Sequence, residues 1–391
     1  MKPLLDVGMQ PISNRYLCNS TDFEKLYHLV LGQCQKSGLI KLMTPFPNEE
    51  LKPRYDWITY REPEGHLDYL VNFVCDLEGV SENSKIGGLS FKDDTTLHRF
   101  RSRRFETWRL DPNQDLNIHY NGAGIESIQS ALTTDTAKKI TQKYGKAEIL
   151  IARHILEHVY NLDEFINSLK TLVAKNAFII FEVPDCTRSL EQNDYTTIWE
   201  EHLYYFTPET FKFLLAACGL QIIRFENIQY PFENSLIAIT RPINNFNPVM
   251  PAPILKTELL RGEMFAQKFG EYRKNFYSFF AHHRRNNGKI AFFGAGHLAC
   301  TFVWLFQLQD FIDCIIDDDP NKQGLFMPGS KLPIVSSSAL MNGNYSLCIL
   351  SLNPLNEDKV IANFRKFIEN GGKFYSIFPS SQRSLHKQVF S

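Results

Sequence analysis

The chain has 391 residues, too many for one ordinary core, so two or three domains are expected. Its 42 basic and 43 acidic residues nearly cancel, which argues against a general grip on nucleic acid or on an anionic membrane. The longest apolar runs, such as AEILIA and AFIIFEV, are strand-length, so no bilayer span is expected.

The first stretch, MKPLLDVGMQ, lacks the apolar core of a signal peptide. Eight scattered Cys, none in a CxxC, read as buried thiols of a reducing compartment, and a cytoplasmic location is expected. Residues 1–75 are rich in Pro, aromatics and turn pieces, predicting a small irregular lobe that ends in a helix near Gly65–Asp76. Strand and helix signals then alternate over 76–245. KIGGLS reads as a strand, TTLHRFRSR as a helix, and FETWRLDP as a strand ending at Asp111. TDTAKKITQKYG is an amphipathic helix, AEILIARH a strand, Asp163–Ala174 a helix, and NAFIIFEVP a strand. ETFKFLLAACG closes on Gly219 as a helix, and LQIIRFENI and SLIAITR are strands. Continuous apolar strands alternating with helices predict an α/β fold with a parallel sheet covered on both faces.

RPINNFNPVMPAP is the linker candidate, and the residues from 254 onward open with one long helix. Its HHRR segment lies at the helix C-terminus, where cations are favoured; this suffices without a metal or phosphate site. GKIAFFGAGHLACTF then runs a strand into Gly294-x-Gly296-x-x-Ala299 and a helix, and DCIIDDDP supplies Asp317. This is the pattern of a dinucleotide-binding turn on half of a full Rossmann domain. A tight strand–helix turn with nothing bound explains it equally well.

The stretch IWEEHLYYFT sets Glu200, Glu201 and His202 among bulky apolar residues, where unpaired charge is costly. By spacing alone it reads as a helix or loop edge with solvated charges. Four phrases in order change that reading: VGMQPISNRYL with RYDWITYREPEGHLDYL; ILIARHILEHVYNLDEF; FEVPD with IWEEHLYYFTPETFKFLLAACGL; and GKIAFFGAGHLACTF with IDDDPNKQGLFMPGSKLPIVSS. Together they resemble the three-part sugar C-methyltransferases that act on nucleotide-linked keto-deoxysugars, over essentially the whole length. The resemblance implies a Rossmann-like methyltransferase core, a small N-terminal lobe and a C-terminal half-Rossmann α/β domain. It also implies S-adenosylmethionine as methyl donor and a nucleotide-linked sugar as substrate; the charge balance and the absence of a regular basic stripe leave no nucleic acid or membrane partner expected.

The resemblance implies His202 as the base that takes a proton beside the ketone, with Glu201 orienting it, and His158 as a second polar group. Tyr55 and Tyr60 are the candidates for a further hydroxyl. Asp94, Asp111, Ser90, Ala152 and His154 are expected around the methyl donor, and Gly294, Gly296, His297, Asp317 and Trp199 around the substrate. Three departures stand out. Only Cys34-Gln-Lys-Ser37 remains of the paired CxxC motifs that hold zinc in relatives, so no metal is expected. Thr95 replaces a glycine of the donor-binding turn; and Trp199 and His154 stand where relatives have Tyr and Asn. A relative that performs another enolate-type step, such as epimerisation, and a non-catalytic subunit are the alternative readings.

Overall fold

The computed structural model describes residues 1–52, 54–55, 62–119, 124–243 and 247–390. The chain divides into two compact units, each assembled from separated segments. The first takes Met1, Gln33–Thr187 and Glu201–Leu259; the second takes Lys2–Gly32, Arg188–Glu200 and Leu260–Ser391. The N-terminal lobe expected over 1–75 is therefore shared between the two units.

The first unit is built on a six-stranded sheet. Its strands are β1 (Lys85–Gly88), β2 (Glu106–Arg109), β3 (Ala147–Arg153), β4 (Val173–Asp185), β5 (Leu220–Ile228) and β6 (Asn234–Pro242). They lie in the order β2-β1-β3-β4-β6-β5. β1 to β4 run parallel, and β6 pairs antiparallel with both β4 and β5. Side chains alternate across a strand, so each apolar run feeds two cores. Ile149, Ile151, Phe178, Ile180, Ile237 and Ile239 pack with Leu67, Val71 and Val74 of the helix Leu67–Cys75. Leu150, Ala152, Ile179, Phe181, Leu236 and Ala238 face a second core with Ile140, Phe165, Leu169 and Leu215. A sheet with both faces covered is what continuous apolar strands require. The helices that matter for the site are α1 (Asp94–Arg101), α2 (Pro112–Leu116) and α3 (Ile125–Ala131).

The second unit holds a five-stranded, all-parallel sheet. Its strands are β7 (Lys289–Phe293), β8 (Cys314–Ile316), β9 (Ile334–Val335), β10 (Tyr345–Leu350) and β11 (Lys373–Ser376), in the order β9-β8-β7-β10-β11. The long helix expected after the linker spans Ala252–Asn286 and is α4. Its Phe265, Phe269, Phe276 and Phe280 are buried at helical spacing, and Phe280 stacks on Phe292 of β7. β7 leads through the glycine turn into α5, His297–Leu305. Gly294 sits at φ +106, where an added Cβ would lie 3.0 Å from Ser351 Oγ, so only glycine fits this turn without strain.

Candidate functional site

Glu201 and His202 occupy the turn before a short strand, Tyr204–Tyr205. Leu203 N–H donates to the Glu157 carbonyl at 2.7 Å, and Leu42 N–H donates to the Leu203 carbonyl at 3.0 Å. The first bond lays the turn on the single-turn helix Leu156–His158. There His158 and His202 meet edge to face, with ring centroids 4.9 Å apart and planes at 89°. Glu126 of α3 brings its Oε1 to 3.1 Å from His158 Nδ1. Glu201 closes the group: one oxygen from each of Glu126 and Glu201 and a His158 nitrogen lie within 4.8 Å of one another. Glu126, Glu157, His158 and Glu201 are buried and His202 is half-buried. Imidazoles backed by carboxylates in a nearly dry setting are equipped to accept and hold a proton.

Thus three of the expected catalytic residues come together. Tyr55 is half-buried, and Tyr60 lies outside the described residues. Glu126 was not foreseen, because IESIQSA carries no motif. Tyr160 was also missed. Burial, with Glu126 and Glu201 as charged neighbours, pushes its phenol far above the ordinary range, and its hydroxyl donates to the Phe46 carbonyl at 2.5 Å.

Next to this group lies a buried charge network. Arg153 donates to Glu182 at 2.5 Å and to the Lys92 carbonyl at 2.6 Å, and its backbone N–H donates to Asp93. His154 stands 3.5 Å from Glu157 and 3.4 Å from Glu182, while His66 lies 3.2 Å from Glu182. Burial opposes a charge on His154, but Glu62, Glu157 and Glu182 outweigh it and hold the imidazole up to about 10. Burial likewise opposes ionisation of Glu182, and Arg153, His154 and His66 reverse it, keeping the carboxyl well below its ordinary range. His154 also has φ +48, a left-handed conformation that Asn adopts readily.

The carboxyl edge of β1–β3 carries the residues expected around the methyl donor. Asp111 caps α2, its Oδ1 accepting from Asn113 and Gln114 N–H at 2.9 Å each. It is half-buried, and the Gln114 bond is the main reason its carboxyl titrates lower than usual. Asp94 pairs with Arg109 at 2.8 Å. Ser90, Ala152 and His154 are buried in packing and hydrogen bonds. The turn after β1 is shaped by Asp93: its carboxylate accepts the N–H groups of Leu89, Ser90 and Arg153. Gly87 is needed inside the protein, where a Cβ would fall 2.4 Å from the Trp108 ring.

In the second unit, Trp199 stacks on His297 with centroids 4.4 Å apart and planes at 18°. Trp199 Nε1–H donates to Ser13 Oγ, and Ser13 gives both its N–H and its O–H to Glu200. Glu200 therefore anchors the indole, whereas its neighbour Glu201 serves the histidine cluster of the other unit. Asp317 accepts from Ala295 N–H at 2.9 Å and pairs with Lys322 at 3.0 Å, so this acid braces the glycine turn. Space is open around Gly296, at the start of α5.

Residues 89–224 match the family described as methyltransferase domain, and residues 256–379 match the C-methyltransferase C-terminal domain. By domain make-up the chain is a C-methyltransferase. It is 23% identical over 394 residues to the C-methyltransferase NovU of Streptomyces niveus, covering 96% of this chain and 92% of that protein. Solved structures similar to part of it include magnesium protoporphyrin IX methyltransferase of Synechocystis, at 13% identity and TM-score 0.31 over 48% of this chain and 90% of that one. Another is an S-adenosylmethionine-dependent methyltransferase of Clostridium acetobutylicum, at 9% identity and TM-score 0.31 over 47% and 93%.

The methyl donor of this C-methyltransferase is S-adenosylmethionine. On the edge described above, just after the second strand, Asp111 carries a half-buried carboxylate whose chemistry suits a ribose diol. Among the described residues no helix is long and apolar enough to cross a membrane.

Proposed function

We propose that this C-methyltransferase methylates the carbon beside a ketone in a nucleotide-linked deoxysugar, with His202 as the base. The observation that carries this reading is the meeting of His202 with His158, Glu126 and Glu201 in one buried cluster. A proton next to a ketone leaves only when a nearby base accepts it and charge on the oxygen is stabilised. His202, being half-buried, is the imidazole open to a substrate, and Glu201 and Glu126 stabilise the cation formed on the histidine pair. His158 is the group to donate a hydrogen bond to the developing enolate oxygen. Leu203 and Leu42 lock the turn, so the base is positioned before substrate arrives.

Asp111 is the residue to hold the donor's ribose, with Asp94 and Arg109 beside it on the same edge. When bound, S-adenosylmethionine supplies an electrophilic methyl group to the substrate carbon. Within the second unit, the flat Trp199–His297 pair and the open backbone at Gly296 are groups suited to a nucleotide. The test is incubation with a 4-ketosugar nucleotide and S-adenosylmethionine in deuterated water, followed by mass spectrometry. A sugar gaining one methyl group supports the reading; deuterium exchange without methylation points to epimerase-type chemistry and refutes it.

A further inference from the structure

The cluster around His158 has the composition of a metal site as well as that of a base. We propose that it binds one divalent first-row transition cation through Glu157, His158 and His202, with Glu126 and Glu201 completing the surroundings. One ligand atom from each of Glu157, His158 and His202 lies within 4.8 Å of the others. A second set, Glu126, His158 and Glu201, meets the same limit and shares His158. The two sets come from three places in the chain: α3, the turn Leu156–His158, and the turn before Tyr204.

The independent observation is Glu157. Its side chain is 1% exposed, and its Oε2 is buried without a hydrogen-bond partner among the described residues. A buried carboxylate oxygen left in that condition costs free energy that a cation recovers. Three carboxylates face two imidazoles, and His154, 3.5 Å from Glu157 Oε1, offsets one of their charges, leaving Glu126 and Glu201 for a dication to neutralise. Two imidazoles with a carboxylate suit zinc, manganese, iron or cobalt rather than calcium or magnesium, which prefer all-oxygen shells. Ligand atoms around such an ion stand roughly 3.4 Å apart, given bond lengths of about 2.1 Å. Glu126 Oε1 stands 3.1 Å from His158 Nδ1, where metal-bound histidines carry a supporting carboxylate.

Cation binding depends on these ligands alone and holds whether or not His202 acts as a base. If it does, an occupied site withdraws the lone pair that proton abstraction needs, so the ion inhibits. The experiment is titration of chelator-treated protein with Co2+ alone, followed by visible d–d absorption and calorimetry. The expected result is saturable uptake of one Co2+ per chain, displaced by Zn2+. Glu157→Gln and His202→Asn should each weaken it at least about tenfold with circular dichroism unchanged. A titration without saturation overturns the proposal, as does binding that both variants leave at native affinity. Should a variant lose its fold, pulsed electron paramagnetic resonance of native protein with bound Cu2+ decides: imidazole nitrogen coupling supports the site and its absence overturns it.

Discussion

Glu126 Oε1 stands 3.1 Å from His158 Nδ1, and the same imidazole touches His202 edge-on. The carboxylate thus acts on the proposed base through an intervening ring, as a positioning residue. Glu126→Gln is expected to lower kcat about 10- to 100-fold while KM stays within about twofold. Glu126→Asp should recover part of the loss, which a purely packing role would not produce. Steady-state kinetics of both variants, with circular dichroism as the control for folding, read this out.

Arg153 and Glu182 form an ion pair with side chains 1% and 0% exposed. Breaking such a pair leaves a buried charge without its partner. Glu182→Gln is therefore expected to cost about 3–5 kcal/mol of stability. Urea unfolding monitored by tryptophan fluorescence gives the number, and a loss under about 1 kcal/mol would show that the network relaxes around the change.

His154 sets an alkaline limit. Its folded pKa of about 10 lies above the usual value of about 6.5, so its contribution is fully present below the latter and is lost as pH rises through the former. Wild-type stability should decline between those two values. In His154→Asn, which tolerates the left-handed backbone but carries no charge, this part of the decline should vanish. Denaturant midpoints measured across the window for both proteins test the sign.

Asp111→Asn keeps an N-cap on α2, since Asn caps as well as Asp, but removes the charge offered to a ribose diol. The dissociation constant for S-adenosylmethionine should rise about tenfold, or about 1.4 kcal/mol, with the unfolding midpoint nearly unchanged. Calorimetry of donor binding measures it.

Much of this architecture was written locally. AEILIARH and NAFIIFEVP are apolar on both faces, and they became β3 and β4, whose alternate residues fill opposite cores. Gly294 announced its turn because no other residue sits easily at its φ. The strands Lys2–Gln10 and Tyr27–Gln33 were hidden, since their half-buried patterns are broken by Pro, Gly and polar residues. Their assignment to the second unit depends on contacts far along the chain, which no local pattern encodes. The site divides the same way. His158, Glu201 and His202 were reached only through the phrases that resemble the sugar C-methyltransferases, whereas Glu126 became visible once the fold carried α3 to His158. Glu200 and Glu201, adjacent and chemically alike, parted into a Ser13 anchor and a member of the histidine cluster.

In the proposed reaction His202 removes the proton beside the ketone. The most direct measurement of this step is the rate of substrate deuterium incorporation in deuterated water for wild type and His202→Gln, with donor affinity measured alongside. Exchange and methylation should both fall at least about 100-fold in the variant while S-adenosylmethionine binds as before. Exchange at the native rate in His202→Gln would contradict it.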